Sequence, residues 1–207
     1  VCGHELVLTG RLTDIYPQGR VLAQASKMDK KRLLRAWVEH VALSALDPEF
    51  HSSTYIFGKS TSTKQVGYGL SPLSEDGPKS RMRAGRDLLV QLLEVFLKGH
   101  DHPIALEPAA AFAWADRDQS AETPELRAEA ATGAAAAAMD HWQRSWEGLG
   151  DHHVERIFAT HGPTELAESG VNPPPNLEFE AVADRLVGPL LAHMTADPHL
   201  LTEDAPS

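Results

Sequence analysis

An acid, one spacer and a lysine stand together at Asp29-Lys30-Lys31, inside the stretch SKMDKKRLLRAWVEHVALSAL. Many metal-dependent nucleases use that spacing. Two carboxylates hold Mg²⁺, and the lysine positions or activates the water that attacks the scissile phosphate. The chemistry requires convergence at one place. The first acid must come from the end of one strand and the acid-x-lysine triplet from the next, because alternate residues of a strand share a face.

The flanking residues do not deliver that convergence. The second strand of the pair reads RVLAQASK and offers Ala23, Gln24, Ala25 and Ser26, without a carboxylate. On the strand before it, GRLTDIY places Thr13 where the first acid belongs, and Asp14, one residue along, is expected to face the other way. Asp29 lies past the strand. Ser26 and Asp29 have capping-box spacing, with Ser26 expected at the N-cap and the acid reaching back, and Asp29 also complements the helix dipole. The triplet therefore reads as the start of a helix. No catalytic residue, bound metal or cofactor is expected.

Periodicity supplies the elements around this point. HELVLTGRLTDIY alternates over two short stretches, YPQG is a turn signal and RVLAQA runs on as a strand, which predicts a hairpin or meander. Leu33, Leu34, Trp37, Val38, Val41, Ala42 and Ala45 form one helical stripe, and Asp47-Pro48 ends it. SSTYIFGK predicts a strand ending at Gly58, and the Gly/Ser-rich stretch after it leaves room for one more short strand and a loop. RMRAGRDLLVQLLEVFLKG predicts a helix with Gly99 as its C-cap. PIALEP predicts a short buried strand, Glu125 to Trp146 an alanine-rich helix, and Leu177 to Met194 a last amphipathic helix. Strands early, with helices between and after them, make an α/β protein with a mixed sheet. One domain is expected over residues 1–196, followed by a flexible tail over 197–207. No phosphate-binding loop, nucleophile elbow, CxxC pair or internal repeat is present.

Composition narrows the class. In 207 residues, 42% are apolar and 23% charged, as in a globular protein that buries a full core. No run of about 18 apolar residues exists to span a membrane. A single Cys2 excludes an internal disulfide and predicts a reducing, cytoplasmic setting. The opening VCGHELVLTG reads as a fragment of a longer polypeptide. The net charge of −10 is unevenly spread: residues 1–100 carry a balance of +4 and residues 101–207 one of −14. Any nucleic-acid contact is therefore expected on the N-terminal half.

Within that half, Lys27, Lys30, Lys31, Arg32 and Arg35 put five cations in nine residues, a candidate phosphate-backbone contact or else a solvated helix face. Lys79, Arg81, Arg83 and Arg86 form a second cluster. His40, beside Glu39, is expected to be hydrogen-bonded and partly buried. His100-Asp101-His102 and Asp151-His152-His153 lack the spacing and third ligand that a metal centre needs. Trp142 and Trp146 share a helix face that Trp114 could join, and packing is favoured over base stacking because their neighbours are acidic.

The order of several segments is distinctive. LTGRLTDIYPQGRVLAQASK, LLRAWVEHVAL, HWQRSWEG with GDHHVERIF, and FEAVADRLVGPLLAHM follow one another across residues 5–194, with Leu34-x-x-Trp37-x-Glu39-His40 the most specific element. In this the chain resembles the C-terminal domain of RecC, the gamma subunit of exodeoxyribonuclease V. The resemblance implies a restriction-endonuclease-like mixed sheet flanked by helices, with a degenerate nuclease site. It implies RecB and RecD as partners, DNA ends and separated strands as ligands, and a non-catalytic role in scaffolding and strand handling. Two alternatives stand beside this one. The first is a live Mg²⁺ nuclease of the same fold using Asp14 and Asp29-Lys31, and the second is a module that docks proteins only.

Overall fold

The computed structural model of the chain describes residues 7–47, 53–59, 65–101, 106–117, 123–149 and 179–196, without the side chains at 100, 101, 124, 127 and 142–149. Two compact units are present: residues 1–94 with 190–207, and residues 95–189.

The first unit holds a five-stranded mixed sheet in the order β1-β2-β3-β4-β5, with α1 connecting β2 to β3. β1 (Ile15–Tyr16) and β2 (Gly19–Lys27) form an antiparallel hairpin around Pro17-Gln18. The hairpin arm is much shorter than the alternation from His4 predicts. Asp14 adopts a left-handed backbone (φ 63°), which breaks the ladder after the Val21 N–H donates to its carbonyl at 3.0 Å. The helix α1 (Lys30–Leu46) crosses over to β3 (Ser53–Lys59), which runs parallel to β2, as a helical crossover allows. β4 (Gln65–Leu70) pairs antiparallel with β3, and β5 (Met194–Ala196) pairs antiparallel with β4. The α/β class and the mixed sheet match the expectation.

α1 packs on the face of the sheet that carries Arg20, Leu22, Thr54 and Ile56. Its buried stripe is Leu33, Ala36, Trp37, His40, Val41 and Ser44, at helical spacing. That stripe is rotated from the predicted one: Val38 is 42% exposed, whereas His40 and Ser44 are buried. A histidine sits inside because it finds a hydroxyl partner there, the Thr54 Oγ1 at 2.9 Å. The helix ends at Asp47, whose N–H donates to the Leu43 carbonyl at 3.0 Å, just before Pro48.

α2 (Pro78–Asp101) starts three residues earlier than predicted, at a proline, whose missing N–H costs nothing in the first turn. It also runs through Gly99 and ends two residues before Pro103, so Gly99 is helix interior and not the C-cap. In the second unit, α3 (Pro108–Ala115) opens where PIALEP was expected to be a strand. Glu107 is its N-cap, with Oε2 accepting from the Ala110 N–H at 2.6 Å, and Pro108 occupies the first turn. Half of the predicted strand, residues 103–105, lies outside the described residues. α3 packs on α4 (Pro124–Leu149) and on α5 (Phe179–Leu186). Val95, Val182, Leu106 and Leu186 form a small core there. The single last helix expected to Met194 is two: α5, then α6 (Gly188–His193) leading into β5. Pro189 explains the break, since it cannot donate to a preceding turn and its ring crowds that turn. The predicted tail, 197–207, lies outside the described residues.

Candidate functional site

The Asp29 triplet starts a helix, as its context predicts, with one change of role. Asp29 is itself the N-cap (φ −114°, ψ 168°), and its Oδ1 accepts from the Arg32 N–H at 2.9 Å. Ser26, expected at the cap, belongs to β2, and its hydroxyl accepts from the Arg32 guanidinium. β2 runs on to Lys27, which leaves Asp29 as the first polar side chain able to reach the free amides.

A cleft of about 360 Å³ lies between α1 and the hairpin end of the sheet. Asp14, Gln24, Arg32, Arg35 and Glu39 supply its polar walls, over Leu22 and Ile56. Asp29 does not line it. Asp14 does, contrary to the expectation that it faces away. Its left-handed backbone turns the side chain, and Oδ2 accepts from the Thr13 hydroxyl at 2.9 Å. Gln24 stands in a stretch where the β2–β3 register shifts, between Ala23 and Lys27. Such bulges re-aim side chains beside clefts.

Glu39 is the anchor of this wall. Its Oε2 lies 2.8 Å from the buried Arg20 Nη1, and its Oε1 accepts from Arg35 Nε at 2.9 Å. Burial alone would raise its pKa, but the two guanidiniums outweigh that and hold the carboxyl below its ordinary value. Glu39 is thus neutralised from two sides. Arg20 also donates from Nε to the Thr13 carbonyl at 3.1 Å, which ties the hairpin to α1.

His40, next along α1, is fully buried, beyond the partial burial expected. Its ring stacks on Trp37 with centroids 5.9 Å apart, and Trp37 also stacks on His193 of α6 at 5.8 Å. Desolvation lowers the His40 pKa to about 4, and the nearby His193 and Arg20 push the same way. Burial lowers His193 too. Both rings are neutral at pH 7 and form a stacked, hydrogen-bonded prop under the sheet: the Ser71 hydroxyl lies 3.2 Å from His193 Nδ1.

The five candidate cations divide between the cleft and the turn from β2 into α1. Arg32 and Arg35 line the cleft. Arg32 is also anchored to the Lys27 carbonyl at 2.8 Å, and the Arg35 side chain stays 81% exposed beside Glu39. Lys30 and Lys31 are exposed in the first turn of α1, and Lys27 ends β2. Lys59, which the sequence reading passed over, is the register partner of Lys27. Only strand pairing reveals it, since 32 positions separate the two. In the second cluster, Lys79 and Arg83 are exposed and Arg86 donates from Nε to the Ala45 carbonyl at 3.3 Å, a packing role.

Among the described residues, no group of three or more His, Cys, Asp or Glu is placed to hold a metal. Asp151-His152-His153 and His102 lie outside those residues, as do the side chains of His100, Asp101, Trp142 and Trp146. Trp114 is buried in the second unit. The Arg117 guanidinium lies 4.3 Å from its ring centroid and makes a two-pronged contact with Asp184 at 2.7 and 2.8 Å. This is packing, as favoured. Among the described residues, no helix is long and apolar enough to cross a membrane.

Comparison with known proteins meets the geometry here. A curated relative, the RecBCD enzyme subunit RecC of Mycolicibacterium smegmatis (strain ATCC 700084 / mc(2)155), is 27% identical over 124 residues, which is 58% of this chain. The chain spans about a tenth of that protein's length. The family model of the RecC C-terminal domain matches residues 2–119, more than half of the chain, and takes in the hairpin, the cleft, α1 and the whole sheet but its last strand. The cleft lies wholly within the matched residues, and the chain belongs to the RecC C-terminal domain family.

Proposed function

We propose that this chain is a non-catalytic RecC C-terminal domain, a restriction-endonuclease-like fold retained for its shape, which scaffolds a complex with RecB and RecD and handles DNA strands during double-strand break repair. The observation that carries the reading is the chemistry of the cleft. By strand periodicity Thr13 and Gln24 fall at the positions where the nuclease reading needs acids; Gln24 lines the cleft, Asp29 is spent on a helix cap, and Glu39 is already held by Arg20 and Arg35. A hairpin, a crossover helix and a parallel strand frame that cleft. The cations Lys27, Lys30, Lys31, Arg32 and Arg35 supply a backbone contact that is independent of sequence.

The test is a pair of measurements on the purified chain. With Mg²⁺ and linear DNA, no cleavage is expected; cleavage abolished by Asp14→Ala or Asp29→Ala overturns the reading in favour of a live nuclease. With forked DNA, weak and salt-sensitive binding is expected, lost when Lys30, Lys31 and Arg32 are reversed in charge. Absence of binding even at low salt favours a module that docks proteins only.

One observation speaks for the nuclease alternative: Asp14 borders the cleft that also holds Glu39. Crystals soaked in Mn²⁺ decide it, since an ion liganded beside Thr13 and Gln24 would make the site a working one.

A further inference from the structure

The β2–β3 register sets Lys27 beside Lys59. That alignment depends on the bulge. From Ala23 to Lys27 β2 uses more residues than β3 does from Phe57 to Lys59, and the surplus carries Lys27 forward until the two lysines meet. The Met28 N–H then closes the pairing on the Lys59 carbonyl at 2.8 Å. Gly58 leaves the room, since a Cβ there would meet Met28 Cε at 2.8 Å.

Both lysines are exposed. Among the described residues, neither they nor Lys31 has a carboxylate partner. Like charges side by side on paired strands repel and weaken the sheet. Two ammonium groups therefore stand together at the end of the sheet. Lysines are hydrated point charges that meet phosphate without reading a base.

We propose that Lys59, with Lys27, extends the cationic surface into a rim for a nucleic-acid phosphodiester backbone. The rim runs around the end of the sheet, from Lys59 and Lys27 through the strand-to-helix turn to Lys31. This rests on the strand-handling reading above and adds to it a residue, Lys59, distant in sequence and brought in by strand pairing alone.

The experiment compares the whole 207-residue chain with its Lys59→Gln and Lys27→Gln variants. The probes are labelled single-stranded and duplex oligonucleotides of about 20 nucleotides, at about 50 and 200 mM salt. Each substitution is expected to weaken binding equally on all sequences. Each should also shrink the salt-induced loss of affinity by about 3.5-fold on duplex, or about 2.6-fold if the bound form is single-stranded. The thermal midpoint should stay level or rise, because repulsion is relieved, whereas a structural lysine would lower it.

If charge reversal at Lys30, Lys31 and Arg32 abolishes binding while Lys59→Gln leaves the salt dependence unchanged, the rim is wrong and the strand-handling reading survives. If the unmodified chain binds neither probe at the lower salt, both fall. If polyglutamate binds as tightly as DNA and with the same dependence on Lys59, the rim is a dock for an acidic protein and the proposal is overturned.

Discussion

Arg20 of β2 and Glu39 of α1 meet at 2.8 Å across the sheet-helix interface, with the arginine side chain only 4% exposed. Removing one member of a buried pair leaves the other charge uncompensated, which costs far more than the intact pair contributes. Glu39→Gln is therefore expected to destabilise the chain by about 3 kcal/mol, seen as a lower urea midpoint. Adding Arg20→Met should recover much of that loss, because the stranded guanidinium is then gone. A double variant no more stable than Glu39→Gln alone would show that the arginine, with its bond to Thr13, matters independently of the pair.

Acid should weaken this protein from near-neutral pH downward. His40 has a folded pKa of about 4, below its unfolded value of 6.5, so the unfolded chain binds the extra proton first. The contribution is complete above the unfolded value, falls as pH drops from about 6.5 to 4, and adds no further loss below that. Over that window it amounts to about 3 kcal/mol. His193 acts in the same direction, and Glu39, whose pKa is also depressed, adds a loss at the acid end. Urea titrations at a series of pH values should show a shallower slope in His40→Asn than in the parent.

Gly85 lies against the C-terminal turn of α1, where an added Cβ would sit 2.7 Å from the Ala45 nitrogen and 2.9 Å from the Ser44 carbonyl carbon. Backbone cannot swing aside as a side chain can. Gly85→Ala should therefore destabilise by about 1–3 kcal/mol in spite of alanine's better helix propensity. Gly133, in α4, has open space around it, and there the same substitution should stabilise by up to about 1 kcal/mol. Opposite signs for these two variants in thermal unfolding would confirm that packing separates them.

Asp29→Ala removes the cap of α1 and should lower stability by about 1 kcal/mol, with Asp29→Asn close to neutral. A metal ligand would respond differently, since asparagine restores a cap but not a carboxylate. Urea midpoints of the two variants distinguish the roles.

Much of the fold was legible because its signals are local. Asp47-Pro48 ended α1 where proline geometry demands, and the β-branched and aromatic residues of SSTYIFGK marked β3. The two segments richest in family resemblance, the hairpin and α1, are those that build the cleft. What escaped depended on tertiary partners. The burial of His40 needs Thr54, and the turn of Asp14 into the cleft needs a left-handed backbone that no pattern announced. Glu107 became a cap because Pro108 follows it, a signal present in PIALEP but outweighed there by the apolar run. Lys59 joined Lys27 only through a bulge.

The pairing of β5 with β4 has a consequence for how the chain is made. Tyr68, Gly69 and Leu70 wait for Ala196, Thr195 and Met194, which leave the ribosome more than a hundred residues later. Until then one margin of the nascent sheet shows bare amides and carbonyls, the kind of template on which growing chains stick to their neighbours. Synthesis therefore passes through an interval in which that margin has no partner, and it is sealed only when the C-terminal strand arrives, after a long loop has closed.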